Sequence, residues 1–402
     1  EMLEVTRDEA GSRAAVALRI SLEELRAKPA EHYESEAHGV VSLLSDVPDL
    51  WDVKMDSSPH DCGASRFRPE GAHEPIIDFV KTVTDRPVVG VGRFTSPDTM
   101  VSQIRRGVLD FIGGARAGIA DPFLPTKIRE GRSDDIRECI GCNICIASWH
   151  DGVPVRCTQN ATAGEEWRRG WHPEKFTKTD KPSSVLVVGG GPSGLEAALV
   201  AARQGFDVTI AERDDDWGGR VLKESQLPGM ASWRRVRDYR VWALSQMGNV
   251  SMFTNSDLDC DAIQSFGADH IALATGAQWT RSLYSALEIP IAPLNKPQVF
   301  TPDDVFAGRV TGDRLLVFEF DHYYLGGVIA EQLAISGKQV TYATPAGHAS
   351  AWTFMTNELP FVYQALAREG VAIHTTTNLI SFEGTRATVA NLFNQTTLEL
   401  AV

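Results

Sequence analysis

The chain has 402 residues, 43% of them hydrophobic, enough to bury the cores of two or three domains. With 39 Lys and Arg against 53 Asp and Glu it carries a formal charge of −14 at pH 7, which argues against nucleic acid and anionic membranes as partners, since both require basic surface. No apolar run approaches the ~20 residues of a membrane-spanning helix. The first residues are charged rather than signal-like, and cysteine is sparse, which points to reduced thiols in the cytoplasm. Residue 1 is not Met and the patterns below begin and stop in mid-architecture, so a portion of a longer polypeptide is expected.

Up to about residue 125, short apolar runs alternate with helical stretches, the pattern of parallel βαβ units. Strands are expected over 14–20, 50–55, 87–91 and 109–113. Helices are expected over 76–84 and 97–106, the second opening with Ser96 as N-cap before Pro97. Four such units make either an open sheet or half of a (β/α)8 barrel. The ends of the last two strands favour the barrel. Gly90-Val91-Gly92-Arg93 and Gly113-Gly114-Ala115-Arg116 offer backbone amides to an anion, each with an arginine to pair with it. Barrel phosphate sites are frequently built from the loops after strands seven and eight. Gly92, Arg93, Gly114 and Arg116 are therefore phosphate candidates, against the ordinary fate of an arginine as a surface ion pair. Arg19, ending the first apolar strand, and Asp61, beside His60 after the second, are candidates for the barrel mouth. Arg19 supplies a fixed cation there; Asp61 orients a catalytic base or a cationic substrate. Cys62 reads as a small space-filling residue.

The most distinctive stretch is Cys139-Ile140-Gly141-Cys142-Asn143-Ile144-Cys145, closed by Cys157. Three cysteines at C-x2-C-x2-C spacing aim three thiolates at one corner of a cube, and a remote fourth completes the ligand set of a [4Fe-4S] cluster. A structural zinc site usually draws two separated C-x2-C pairs. A disulfide framework suits small secreted domains better than this chain.

After a polar linker at 180–184, Val185-Leu186-Val187-Val188 runs into Gly189-Gly190-Gly191-Pro192-Ser193-Gly194, an alanine-rich helix and a strand ending at Glu212. Strand, G-x-G-x-x-G, helix, strand and acid in that order are the dinucleotide fingerprint: Gly189, Gly191 and Gly194 admit a pyrophosphate and Glu212 receives ribose hydroxyls. Gly218-Gly219-Arg220 resembles the second glycine pair that often supports an adenine nucleotide, and 271–277 reads as a buried strand closing the same site. Strand, helix and strand recur over 314–320, 325–336 and 339–344. There, however, the turn is Asp321-His322-Tyr323-Tyr324-Leu325-Gly326-Gly327, whose bulk and charge obstruct a pyrophosphate. This half is expected to be a Rossmann fold that no longer holds NAD(P)H. A hairpin is expected over 380–400. The α/β chain thus divides into the C-terminal half of a (β/α)8 barrel (1–130), an iron-sulfur segment (131–180), an ADP/FAD-type Rossmann domain (181–285) and a degenerate Rossmann-like domain (286–402).

These residues resemble the trimethylamine dehydrogenase family of iron-sulfur flavoproteins, and the likeness runs over essentially the whole chain. Its most specific stretches are Ile119-Ala120-Asp121-Pro122-Phe123-Leu124-Pro125, Asp134-Asp135-Ile136-Arg137, the cysteine motif, and the run from Cys157-Thr158-Gln159-Asn160 to Pro173-Glu174-Lys175-Phe176. The resemblance implies an FMN-binding barrel, a [4Fe-4S] cluster beside it and a nucleotide domain holding ADP or FAD. It implies oxidation of a methylated amine, with electrons leaving singly to an electron-transferring flavoprotein. The enzyme is expected to act in the cytoplasm as a homodimer or larger complex. On that pattern Arg19 lies near the flavin ring, Arg116 holds its phosphate, Asp61 belongs to a Tyr-His-Asp group, and Trp149 helps cage an alkylammonium by cation–π attraction. A second cage tryptophan of trimethylamine dehydrogenase is replaced by Ser58, which opens the substrate to other secondary or tertiary amines, including N-methylated amino acids. A tyrosine that contacts the electron acceptor is replaced by Arg235. The rival within the same architecture is an NAD(P)H-dependent 2,4-dienoyl-CoA or enoate reductase, which typically has C-x2-C-x3-C spacing and an open NAD(P)H turn. A non-enzymatic electron-transfer or scaffold subunit is the rival of another class.

Overall fold

The computed structural model describes residues 1–22, 33–55, 58–281 and 296–402. It divides into two compact units, Glu1–Pro173 and Glu174–Val402. The unit boundary falls near the end of the expected iron-sulfur segment, and the expected boundary at 285/286 lies outside the described residues.

The first unit is built on four parallel strands in sequential order, β1 (Ala17–Ser21), β2 (Leu50–Lys54), β3 (Val88–Gly90) and β4 (Phe111–Ile112). Because strand side chains alternate between faces, Trp51 and Val53 of β2 are fully buried in one core with Val41, Ile77, Val80 and Val88. Arg19, Asp52 and Lys54 stand at the intervening positions, and Arg19 reaches Asp52, its register partner on β2, at 3.3 Å. The helix expected over 76–84 is two single turns, Glu74–Ile77 and Val80–Val83. Ser96 takes the N-cap position of Pro97–Arg105, but its side chain makes no capping bond. The Glu70 carboxylate accepts from the Thr95 and Ser96 amides at 3.1 Å instead, a longer reach that sequence spacing does not reveal.

The path toward the cysteines is set by a buried ion pair. Asp121 and Lys127, both with fully buried side chains, meet at 2.7 Å; the same carboxylate accepts from the Arg137 amide at 2.9 Å, and Lys127 donates to the Asp135 carbonyl at 2.9 Å. Removing one partner leaves the other charge buried, a cost of about 3–5 kcal/mol. Asp121→Ala is therefore expected to lower the unfolding free energy of this unit by that amount in denaturant titration.

The second unit holds three sheets. One is parallel, in the order β7 (Val250–Phe253), β6 (Asp207–Ala211), β5 (Ser184–Val188), β8 (His270–Leu273). The next is parallel, β11 (Ala372–His374), β10 (Gln339–Ala343), β9 (Arg314–Phe318); the last is antiparallel, β12 (Thr377–Glu383), β13 (Arg386–Asn391), β14 (Thr397–Ala401). The expected hairpin is thus part of a three-stranded sheet. The strand expected to be buried over 271–277 ends at Leu273 and is exposed, Ile271 by 46% and Leu273 by 69%. Among the described residues β8 is the sheet's edge with β5 alone beside it, which apolar composition does not disclose.

Candidate functional site

Cys139, Cys142, Cys145 and Cys157 line one pocket together with Arg116, Asn143 and Thr158. The tight curl between the first three depends on two left-handed residues, Gly141 (φ +63) and Asn143 (φ +58). A Cβ on Gly141 would lie 2.9 Å from the Ser65 amide nitrogen. Ser65 anchors the loop, its Oγ donating to Ile140 O at 2.6 Å and its amide to Gly141 O at 3.0 Å. The Gly141 amide donates to the Cys139 sulfur at 3.3 Å, and Cys142 lies 3.2 Å from the Thr158 hydroxyl. Burial pushes Cys142 up to about 12 and Cys145 to about 11, with the neighbouring sulfurs adding to the rise, and burial also raises Cys157. Among the described residues no carboxylate lines the pocket. Such a donor set becomes anionic only when a strongly positive centre compensates it, which is the chemistry of a thiolate-bound metal cluster. Among the described residues no three His, Cys, Asp or Glu gather around a single metal ion.

The fingerprint turn has the geometry its glycines allow. A Cβ on Gly189 would meet Ala274 O at 2.3 Å and one on Gly194 would meet Gly189 O at 1.9 Å, whereas Gly191 faces open space. Glu212 accepts from the Gly190 amide at 2.5 Å and the Asp214 amide at 2.9 Å. The Gly218 amide donates to Gly190 O at 2.8 Å, which brings Gly219 to the turn. Arg220 donates to Ala277 O at 2.7 Å and pairs with Asp303 at 3.5 Å. Gly189, Gly191, Glu212, Gly219 and Arg220 all line one cavity of about 950 Å³, at the carboxyl ends of β5 and β6 where a nucleotide is held in this kind of sheet.

Comparison with known proteins agrees with this picture. Residues 1–135 match the NADH:flavin oxidoreductase / NADH oxidase family and residues 184–244 match FAD dependent oxidoreductases. The chain is 39% identical over 360 residues to dimethylamine dehydrogenase of Hyphomicrobium sp. (strain x), a match covering 86% of this chain and 49% of that protein. Histamine dehydrogenase from Rhizobium sp. 4-9 has the same fold with a TM-score of 0.94 at 39% identity, over 99% of this chain and 58% of that one. These likenesses fit the trimethylamine dehydrogenase family. Another solved structure, 6-hydroxypseudooxynicotine amine oxidase from Pseudomonas geniculata N1, gives a TM-score of 0.95 at 46% identity, over 99% of this chain and 60% of that one. The chain spans about half the length of the curated dimethylamine dehydrogenase it matches.

The residues expected at the barrel mouth are placed as follows. Asp61 closes the short helix Ser58–Asp61 and its carboxylate accepts from the Met55 amide at 3.3 Å. Buried His73, which sequence reading did not single out, donates from Nε2 to the His60 carbonyl at 3.3 Å, and burial lowers its pKa. Trp149, on the helix Ile144–His150, is 71% exposed and leans on His150 at 5.0 Å. Of the phosphate candidates, Gly92 accepts from the Gly71 amide at 2.8 Å, and Gly114 is the N-cap of Ala115–Ala120. Arg93 donates to Arg68 O at 2.8 Å and lies against Gly141. Arg116 donates to Gly63 O at 3.0 Å and to the Asn143 amide oxygen at 2.5 Å. Both arginines therefore reach toward the cysteine loop.

Register explains how the second nucleotide turn is closed. Val188 pairs with Ala211 and the next amide, Gly189, donates to Ala211 O; Phe318 pairs with Ala343 and the next amide, Glu319, donates to Ala343 O. Glu319, Asp321 and Tyr324 thus stand where the fingerprint has Gly189, Gly191 and Gly194. By the same ladder Thr344 stands where Glu212 does, since their amides donate to His374 O and Phe253 O respectively. The acid has moved from the second strand to the first: Thr344 Oγ1 donates to Glu319 at 3.0 Å. Tyr323 is set edge-on between Tyr324 (4.6 Å) and Trp352 (4.7 Å), and the Tyr324 hydroxyl donates to Glu224. Sequence reading missed Glu319; superimposing the two repeats strand on strand is the signal that finds it.

This closed turn also titrates. Burial, then the hydrogen bond and charge of Glu319, raise Asp321 to about 7; the Glu319 hydrogen bond raises His322. A carboxyl whose folded pKa exceeds its unfolded value binds a proton in the native state that the unfolded chain has released, so stability falls as pH rises from about 4 to about 7. The raised His322 acts in the same direction, contributing below about pH 6.5 and fading as pH rises through its folded pKa. Asp321→Asn, a neutral hydrogen-bonding replacement, is expected to be more stable than the parent by roughly 2 kcal/mol near pH 8.5, a figure discounted for solvent screening of an exposed side chain, and the difference is expected to close as pH falls below about 4, read from thermal unfolding across that range.

Proposed function

We propose that the chain is the cluster-bearing and nucleotide-binding portion of an amine dehydrogenase. The enzyme removes a hydride equivalent from the carbon beside the nitrogen of a secondary or tertiary methylated amine and hands electrons singly to an electron-transferring flavoprotein. The observation that carries this reading is the gathering of four cysteine sulfurs and Arg116 around one pocket, in a chain similar to dimethylamine and histamine dehydrogenases. The four parallel strands are read as the second half of a (β/α)8 barrel, with Gly92, Arg93, Gly114 and Arg116 at its phosphate-binding end. FMN supplies two-electron acceptance and a [4Fe-4S] cluster one-electron exit, which is the chemical reason to combine them. The cluster is held by Cys139, Cys142, Cys145 and Cys157.

The chain's own residues then have defined tasks. Arg19 offers a cation on the strand face opposite the apolar core, where it opposes negative charge at the reacting end of the barrel. Asp61, held by the Met55 amide, orients a neighbouring base or the ammonium. Trp149 presents an indole face to the cationic substrate, worth about 0.5–2 kcal/mol. The 950 Å³ cavity takes the adenosine diphosphate part of ADP or FAD, with Glu212 on the ribose. The assembly is a cytoplasmic homodimer or larger complex. Among the described residues no helix is long and apolar enough to cross a membrane.

The filled second turn weighs against the NAD(P)H-dependent reductase reading. Anaerobic titration of the full-length, cofactor-loaded enzyme with dimethylamine, trimethylamine, sarcosine and histamine decides between them. At least one amine is expected to bleach the flavin, while NADPH leaves it oxidised. Rapid reduction by NADPH alone, followed by reoxidation with an enone, would establish the reductase instead.

A further inference from the structure

Asn143 sits between two of the four cysteines, at a backbone position where glycine is the cheaper residue. Gly141, two residues earlier, is a glycine in the same left-handed region (φ +63 against +58). An asparagine is therefore retained where the backbone alone does not require one, and its side chain has a task. That side chain is 1% exposed as a residue and fully engaged: Oδ1 accepts from Arg116 Nη1 at 2.5 Å and Nδ2 donates to the Cys62 carbonyl at 2.6 Å. The same Nη1 lies 3.2 Å from Cys62 O and 3.0 Å from Gly63 O, so the guanidinium is pinned from two sides. Arg116 borders the sulfur-lined pocket. Among the described residues no carboxylate lines that pocket.

We infer that Asn143 is a positioning residue: it holds the Arg116 guanidinium against the sulfur-lined pocket, and that fixed cation raises the reduction potential of the cluster the pocket carries. The inference rests on the cluster reading above. The physical ground is charge: the reduced cluster carries one more electron than the oxidised one, so a fixed cation stabilises the reduced form more, most of all in a site shielded from water. Asn143 acts through Arg116 and touches no substrate.

The test is a redox titration of the holoprotein followed by the electron paramagnetic resonance of the cluster. Asn143→Gly keeps the left-handed backbone and removes only the bridge. Its midpoint is expected to fall so that the reduced-to-oxidised ratio at a fixed potential drops at least about tenfold, or about 59 mV for one electron. Arg116→Met is expected to lower the midpoint too, and adding Asn143→Gly to it is expected to give no further shift, the mark of two residues acting as one. Asn143→Asp keeps Arg116 in place but cancels its charge, so it is also expected to fall. An unchanged midpoint in either cluster-bearing Asn143 variant overturns the inference. So do additive shifts in the double variant, and loss of the cluster from both Asn143 variants, which would make Asn143 a folding residue only. Iron and acid-labile sulfide in the unmodified protein are measured first. Zinc in their place defeats the cluster reading itself, an outcome distinct from an iron protein whose Asn143 variants do not shift.

Discussion

On the proposed cluster reading, Cys142→Ser in the full-length enzyme is expected to remove iron and acid-labile sulfide and to abolish electron delivery to a one-electron acceptor, while reduction of the flavin by amine persists. The reason lies in the pocket. Cys142 is half-buried beside the other three sulfurs and next to the Thr158 hydroxyl, and desolvation raises its thiol to about 12, so a bound cationic centre favours its thiolate. A serine hydroxyl is a far poorer ligand for iron. Cys260→Ser is the control, because that cysteine is exposed and stands apart from the four. Iron and sulfide content, with stopped-flow traces of flavin bleaching and acceptor reduction, separate the two half-reactions. An acceptor rate unchanged in a cluster-free Cys142→Ser protein would remove the cluster from the electron path.

Gly194→Ala is expected to cost the nucleotide-binding unit more than about 4 kcal/mol and to empty it of adenine nucleotide. The added Cβ would fall 1.9 Å from Gly189 O and 3.2 Å from the Ala274 Cβ. The first of these is a backbone carbonyl at the end of β5 and has no rotamer to escape into. Gly191→Ala isolates binding from folding. Its φ is −71° and the new methyl meets nothing within 4 Å, so stability is kept or gains about 0.4–1 kcal/mol. The methyl nonetheless stands where a pyrophosphate must approach the backbone, and affinity for the nucleotide falls. Nucleotide released on denaturation, quantified per chain alongside thermal unfolding, reads both effects. Equal stability in the two variants would overturn the steric account.

Much of this was legible in the residues because spacing carries it. The C-x2-C-x2-C run, the G-x-G-x-x-G turn after an apolar strand and Glu212 after the next strand are local patterns, and local backbone geometry turns them into a site with little help from elsewhere. Strand positions in the first unit followed for the same reason: β2 alternates as its residues do. Capping and exposure were less legible. Ser96 has the right residue type for its place, yet Glu70, distant in sequence, takes the amides. Ile271 and Leu273 are apolar enough for a core, yet β8 is a sheet edge and they are exposed.

Sequence alone thus disclosed the nucleotide fingerprint and the bulky residues of the second turn, because each is written within a few consecutive residues, and it singled out the four cysteines by their spacing. Tertiary structure decided the rest. It directs Arg116 and Arg93 toward the cysteine loop, puts Glu319 in the place of a glycine, and makes Asn143 a bridge between Arg116 and Cys62. The physical reason is that a charged or amide side chain takes whichever partner the fold brings within about 3 Å, and those partners here come from strands and loops far apart along the chain.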